Sequence, residues 1–151
     1  MEYKYHIFAP YRVCPIGAHV DHQHGLVTGF AIDKGVDLWF SPATQPENHV
    51  HLESKTFEGV VDFDVDTPSQ VRARHWGDYA RGAKYALNKR FELKRGIVGV
   101  VQGSLPVGGL SSSAAVLIAY VMALAKANDI TLKPFEVVKI ASEAEREYIG
   151  L

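Results

Sequence analysis

The residues best suited to chemistry stand in one run, Leu105-Pro106-Val107-Gly108-Gly109-Leu110-Ser111-Ser112-Ser113-Ala114-Ala115, between a β-branched stretch and a long apolar one. Glycines let a backbone approach a ligand closely, because no Cβ intervenes. A helix that starts after such a turn offers unpaired N–H donors and the positive end of its dipole, where phosphate binds naturally. Three consecutive hydroxyls add donors to phosphate oxygens and a ligand for a hard cation such as Mg²⁺. A plain serine cap after a tight turn would need one Ser and one Gly and leaves the rest of the run unexplained. Neither GxxxxGK[ST] nor GxGxxG occurs, so this is not a Walker loop or a dinucleotide fingerprint.

Three further groups could do chemistry. Arg12 leads a segment that carries His19, Asp21, His22 and His24 at metal-ligand spacing, but structural zinc sites want four converging ligands and no cysteine pair is present. Surface or loop histidines are the plainer reading. Trp76 and Tyr79 share an apolar helix face, which is either core packing or a flat wall for a ligand. Glu145 sits between Glu143 and Glu147 and, by pattern alone, reads as one of several solvated helix charges.

The elements that must position these residues follow from periodicity. Tyr11–Cys14 and Ala31–Phe40 are rich in β-branched and aromatic residues. His49–Leu52 and Val60–Phe63 read as a strand pair with a turn near Phe57-Glu58-Gly59. From Trp76, apolar residues recur at Tyr79, Ala80, Ala83 and Leu87, one face of a helix. A strand from Gly96 to Gly103 enters the glycine-rich turn and then a helix from about Ser113 to Lys126. A last helix runs from Pro134 to Tyr148, with proline in its first turn. This order predicts an α+β fold of mixed α/β layers.

The totals narrow the classes. A chain of 151 residues with 47% hydrophobic content can build one core. Sixteen basic against 17 acidic residues give no electrostatic case for nucleic acid or an anionic membrane surface. Ala114–Ala125, the longest apolar run, falls short of the ~20 helical residues that span a bilayer. One cysteine, Cys14, excludes an intramolecular disulfide, and no signal-type stretch opens the chain, so a reducing, cytoplasmic setting is expected.

The Pro106–Ala115 run resembles the nucleotide loop of the GHMP kinases, named for galactokinase, homoserine, mevalonate and phosphomevalonate kinases. Arg12-Val13-Cys14-Pro15-Ile16-Gly17-Ala18-His19-Val20-Asp21 resembles the N-terminal signature of the galactokinase branch, Arg-Val-Asn-Leu-Ile-Gly-Glu-His-Thr-Asp. The resemblance implies the N-terminal domain of that family, a ribosomal-protein-S5-domain-2-like fold with a left-handed βαβ crossover, and ATP with Mg²⁺ as cofactors. It implies that Arg12 stabilises charge on the transferring phosphoryl group and that His19 and Asp21 hold sugar hydroxyls. Pro106, Gly108, Gly109, Leu110, Ser111, Ser112, Ser113 and Ala114 would bind ATP, with Trp76 and Tyr79 near the adenine. Ala144-Glu145-Arg146-Glu147-Tyr148-Ile149-Gly150 is similar to the family's Ala-Glu-x-x-Phe-x-Gly, whose glutamate is a Mg²⁺ ligand. Ser112 and Glu145 are therefore the expected metal pair.

Ala18 departs from the galactokinase pattern, which has Glu there against the C6 hydroxyl. A sugar with a carboxylate at C6 would meet that Glu as a like charge, so alanine suits a uronate. Together with Trp76-Gly77-Asp78-Tyr79-Ala80-Arg81-Gly82-Ala83, these motifs are similar to galacturonokinases. The expected reaction is phosphorylation of the anomeric hydroxyl of galacturonate, with galactokinase or a non-catalytic sugar and ATP sensor as alternatives. The family's Gly-x-x-Asp-Gln motif and C-terminal domain are not found before Leu151. The expectation is therefore a GHMP N-terminal domain over 1–151 that is truncated, inactive alone, and prone to self-association through the surface the second domain would cover.

Overall fold

Alternation of inward apolar and outward polar side chains builds one sheet, and its outward positions stay half-buried or exposed. In β2 (Phe30–Pro42), Val36, Leu38 and Phe40 point inward between Asp37, Trp39 and Ser41. In β3 (His49–Ser54), Val50 and Leu52 do so between His49, His51 and Glu53, and β4 (Val60–Asp64) repeats the pattern with Val61 and Phe63. Strands β1 (Tyr5–Val13) and β5 (Ile97–Gly103) complete the set. The computed structural model describes residues 2–17, 20–105 and 112–151, and for Asp21 the backbone alone.

The strand order is β1-β2-β5-β3-β4. All neighbours are antiparallel except β3 and β5, whose parallel pairing sets His51 opposite Val98 and Ser54 opposite Val101. A parallel pair cannot be joined by a tight hairpin. The chain accordingly passes through β4 and helix α1 (Asp78–Asn88) before returning as β5.

Helix α2 (Ser112–Ala127) is buried over most of its circumference, from Ala115 and Leu117 through Tyr120, Val121 and Leu124. A helix apolar all round belongs inside a protein. It lies on β1 and β2 and packs against α1 and α3 (Pro134–Glu143). Burying Leu38, Phe40, Leu52, Leu117 and Leu124 contributes roughly 1.5–3 kcal/mol for each side chain. Asn128 ties the end of α2 to the start of β5. Its Nδ2 donates to Leu124 O and Arg95 O, and its Oδ1 accepts from the N–H groups of Lys94 and Arg95. At the start of α3, Pro134 occupies the first turn and Glu136 accepts the Lys133 N–H.

The α+β reading holds, with a five-stranded sheet and helices on its buried face. Two elements differ from expectation. β1 begins at Tyr5, six residues before the expected strand. It is an edge strand, where Pro10 costs no ladder bond. The last helix does not run as α to Tyr148. It stops at Glu143 and continues as a π-helical turn, Ala144–Ile149, ended by Gly150 at φ 83° in the left-handed region. Among the described residues, no helix is long and apolar enough to cross a membrane.

Candidate active site

The start of α2 opens into a cavity of about 750 Å³, within the range of pockets that enclose small ligands. Four segments supply its wall. Tyr11, Val36, Val101, Val116 and Tyr120 form an apolar floor between sheet and α2. The tip of the β3–β4 hairpin adds Ser54, Thr56, Phe57 and Glu58. The segment before α1 adds Arg72, Arg74, His75 and Trp76, and Tyr79 follows in the first turn of α1. Ser112 and Ser113 close the end at α2.

The aromatic wall is fixed by backbone contacts. Trp76 Nε1 donates to Glu58 O at 3.1 Å, so the indole N–H is used by the hairpin and its ring serves as a flat surface. The His75 ring sits 5.3 Å from that of Trp76, and its Nδ1 accepts the Gly77 N–H at 3.2 Å. Neutral His75 therefore carries its proton on Nε2. Beneath them Asp78, only 4% exposed, accepts from the N–H groups of Ala73 at 3.0 Å and His75 at 3.3 Å. A carboxylate in the first turn of α1 also meets the positive end of that helix. Arg81 Nη1 lies 3.5 Å from Asp78, and its guanidinium lies over the Phe63 ring at 5.6 Å.

At the other end, Ser113 Oγ donates to Glu145 Oε1 at 2.8 Å. The hydroxyl that meets Glu145 is thus that of Ser113, while Ser112 lines the cavity beside it. Glu145 rides on the π turn, and the N–H groups of Gly150 and Leu151 both donate to its carbonyl. Its neighbours face α1 and the turn after it. Arg90 grips Glu143 with two bonds of 2.7 Å, which hold that carboxyl well below the usual range, at about 2. Lys89 meets Glu147 at 2.6 Å, and Tyr148 OH donates to Gln70 O at 2.8 Å. A hydroxyl and a carboxylate side by side, next to a roomy cavity at a helix start, are hard oxygen donors that fit Mg²⁺ with phosphate and water completing its shell.

The remaining expected site residues are placed as follows. Arg12 is exposed on β1, after a bulge between Pro10 and Arg12 that sets it opposite Ala31. Bulges re-aim side chains. The Arg12 stem packs beside Gly29, and the residue is not part of the cavity wall, to which its buried neighbour Tyr11 belongs. Asp21 begins a short 3-10 turn, Asp21–Gln23. Gly17, at φ 91°, lets its loop close on Leu26, where a Cβ would collide with the Leu26 carbonyl. Ala114 lies half-buried in the first turn of α2. Ala18, His19, Pro106, Gly108, Gly109, Leu110 and Ser111 lie outside the described residues. Among the described residues, no group of three or more His, Cys, Asp or Glu is set to hold a metal.

Sequence reasoning missed several members of this site. Asp78 and Glu58 act through backbone contacts that no side-chain pattern signals. Tyr120 lies within the apolar run Ala114–Ala125, and its hydroxyl is fully buried on the cavity floor without a hydrogen bond among the described residues, where burial pushes its pKa up.

Comparison with known proteins follows this geometry. Residues 78–151 match the GHMP kinases N terminal domain. The chain is 44% identical to a galacturonokinase of Arabidopsis thaliana, over 96% of this chain and 38% of that protein. It is 32% identical to a galactokinase of Thermococcus kodakarensis, over 96% of this chain and 40% of the other. Among solved structures it superposes on Lactococcus lactis galactokinase complexed with galactose at a TM-score of 0.88 and 27% identity, covering 97% of this chain and 38% of that one. Mevalonate kinase of Methanococcus jannaschii shares the fold, with a TM-score of 0.79 at 22% identity. The chain spans about two fifths of the length of the curated relatives it matches.

Proposed function

We propose that this chain, which belongs to the GHMP kinases, is the nucleotide-gripping part of an ATP-dependent kinase that phosphorylates the anomeric hydroxyl of galacturonate. The observation that carries the reading is the Ser113–Glu145 pair, 2.8 Å apart at the start of α2 and beside a cavity of nucleotide size. The 44% identity to a galacturonokinase supports the choice of sugar.

The roles follow the motifs of the chain. The loop 106–111 and Ser112 cradle the phosphates at the positive end of α2. Ser113 and Glu145 hold Mg²⁺, which when bound offsets charge on the β- and γ-phosphates. Trp76, locked by Glu58, and Tyr79 wall the base. Arg12 and Asp21 serve the sugar end, where Arg12 stabilises charge on the phosphoryl group in transfer. Ala18 replaces a carboxylate that would repel the uronate.

A family-length protein carrying this chain tests the reading through ADP release with galacturonate, with galactose and with no sugar. Turnover on galacturonate in preference to galactose is expected. Preference for galactose, the substrate named by the galactokinase relatives, would remove the uronate argument. Absence of any sugar-dependent ADP release from a folded, ATP-binding protein would remove the kinase itself.

A further inference from the structure

Three alternate glutamates across the junction of α3 and the π turn face two different ways. Glu143 is held by Arg90 through a parallel pair, Nη1 to Oε2 and Nη2 to Oε1. Glu147 is held by Lys89, with the Tyr85 hydroxyl donating to it at 3.4 Å. Those partners all lie in α1 or in the two residues after its end. Glu145, between them, turns instead to Ser113 on α2.

The backbone that makes this split is not a regular helix. Glu143 closes α3, and the next six residues form the π turn. π turns are rare, wider than α turns, and frequent at functional sites. A wide turn can relax to α geometry unless its ends are held. Here the far end is closed by Gly150 and its bond to Glu145 O, and the near end by the Arg90 fork on Glu143. The second ion pair is weaker by nature. Lys89 and Glu147 are 40% and 37% exposed, against 31% and 12% for Arg90 and Glu143, and the more exposed pair contributes less. A planar guanidinium bonded through two nitrogens also fixes direction, which one ammonium cannot.

We propose that Arg90 is a positioning residue for the metal pair: by gripping Glu143 at the junction of α3 and the π turn, it sets the register in which Glu145 meets Ser113. The inference rests on the reading of Ser113 and Glu145 as the Mg²⁺ donors. Arg90 does not touch the ligand itself. It acts through the turn that carries Glu145, as outer partners do around metal sites.

The test is calorimetric titration of a family-length protein carrying this chain with a non-hydrolysable ATP analogue, in chelator and then in excess Mg²⁺. The ratio of the two affinities is the Mg²⁺ increment, and a denaturation midpoint is recorded for each protein. Arg90→Met is expected to cut the increment by about tenfold or more, the effect usual for loss of an outer partner, with affinity in chelator unchanged. Arg90→Lys, which keeps the charge but not the fork, is expected to stay folded and recover only part of the increment. It also supplies the measurement if Arg90→Met does not fold. A lowered midpoint with a full increment in both variants would make Arg90 a plain helix staple and overturn the inference. Glu145→Gln separates the two layers. If it keeps the increment, or if the unsubstituted family-length protein shows none, the Mg²⁺ reading fails and the inference with it. If Glu145→Gln loses the increment and the Arg90 variants do not, the inference alone fails.

Discussion

Tyr120→Phe isolates a single atom whose energetic role the structure states directly. Tyr120 is fully buried, and its hydroxyl has no hydrogen bond among the described residues. A buried polar group left unsatisfied costs about 1–3 kcal/mol. Removing that hydroxyl keeps the ring and its packing against the floor residues Val36 and Val116, which line the same cavity. The change should therefore stabilise the chain by about 1 kcal/mol, raising the thermal midpoint by roughly 2–4 °C for a domain of this size. The assay is urea denaturation of both proteins, with equal slopes as the check that only stability has changed. Destabilisation by 1 kcal/mol or more would refute the reasoning, since it would mean that the hydroxyl is satisfied by an ordered water or another partner. Because Tyr120 lies on the cavity floor, the same variant titrated with ATP shows whether that hydroxyl also meets bound nucleotide.

The cross-strand ladder of β3 and β4 gives a pH prediction. His49 bonds Asp64 at 2.8 Å and Asp62 at 3.0 Å, His51 bonds Asp62 at 2.7 Å, and Glu53 lies 3.7 Å from His51. The bonds from Asp64 and then Asp62 raise the His49 pKa above 6.5, so its contribution is full below that value and is lost as pH rises through the folded one. The bonds from His51 and then His49 lower the Asp62 pKa below 3.8, so its contribution is present above that value and is lost as pH falls through the folded one. The stability gap between the protein and His49→Ala should be widest near about pH 5 and shrink by about pH 8; a gap flat across that range contradicts the ladder. Trp76→Ala removes an aromatic wall of the cavity and, on the proposed reading, should weaken nucleotide binding by roughly tenfold, in line with about 1–3 kcal/mol for aromatic stacking, while Trp76→Phe keeps most of it. Unchanged affinity by calorimetry would return Trp76 to a packing role. On the proposed reading, Ala18→Glu in a family-length protein sets a carboxylate against the C6 group of the sugar. At 4 Å and an effective dielectric near 20, like charges repel by about 4 kcal/mol, so kcat/KM for galacturonate should fall by at least tenfold relative to galactose; an unaltered ratio would free Ala18 of any part in substrate choice.

The parts of this protein that were legible in the sequence are those where chemistry forces a residue type. The inward alternation of β2 to β4 and the all-apolar α2 each leave a pattern that survives without a structure. What escaped depends on tertiary context. Pro10 hid the first half of β1, because proline argues against a strand unless the strand is known to be an edge. The π turn is invisible to periodicity, since six residues cannot separate one extra residue per turn from a regular helix. Glu145 sits on that turn, and the hydroxyl that meets it is that of Ser113. Asp78 carries no signal of its own in the sequence, and only its bonds to the Ala73 and His75 backbone show that it holds the segment bearing Trp76.

The central claim is transfer of phosphate to the anomeric oxygen of a uronic acid, and the product identifies that directly. Incubation of a family-length protein carrying this chain with ATP, Mg²⁺ and galacturonate, followed by phosphorus and proton NMR of the sugar, reports where the phosphate lands. The account predicts one product, phosphorylated at C1, with the anomeric proton coupled to phosphorus. Phosphate on another hydroxyl, or inorganic phosphate with unmodified sugar, would contradict it.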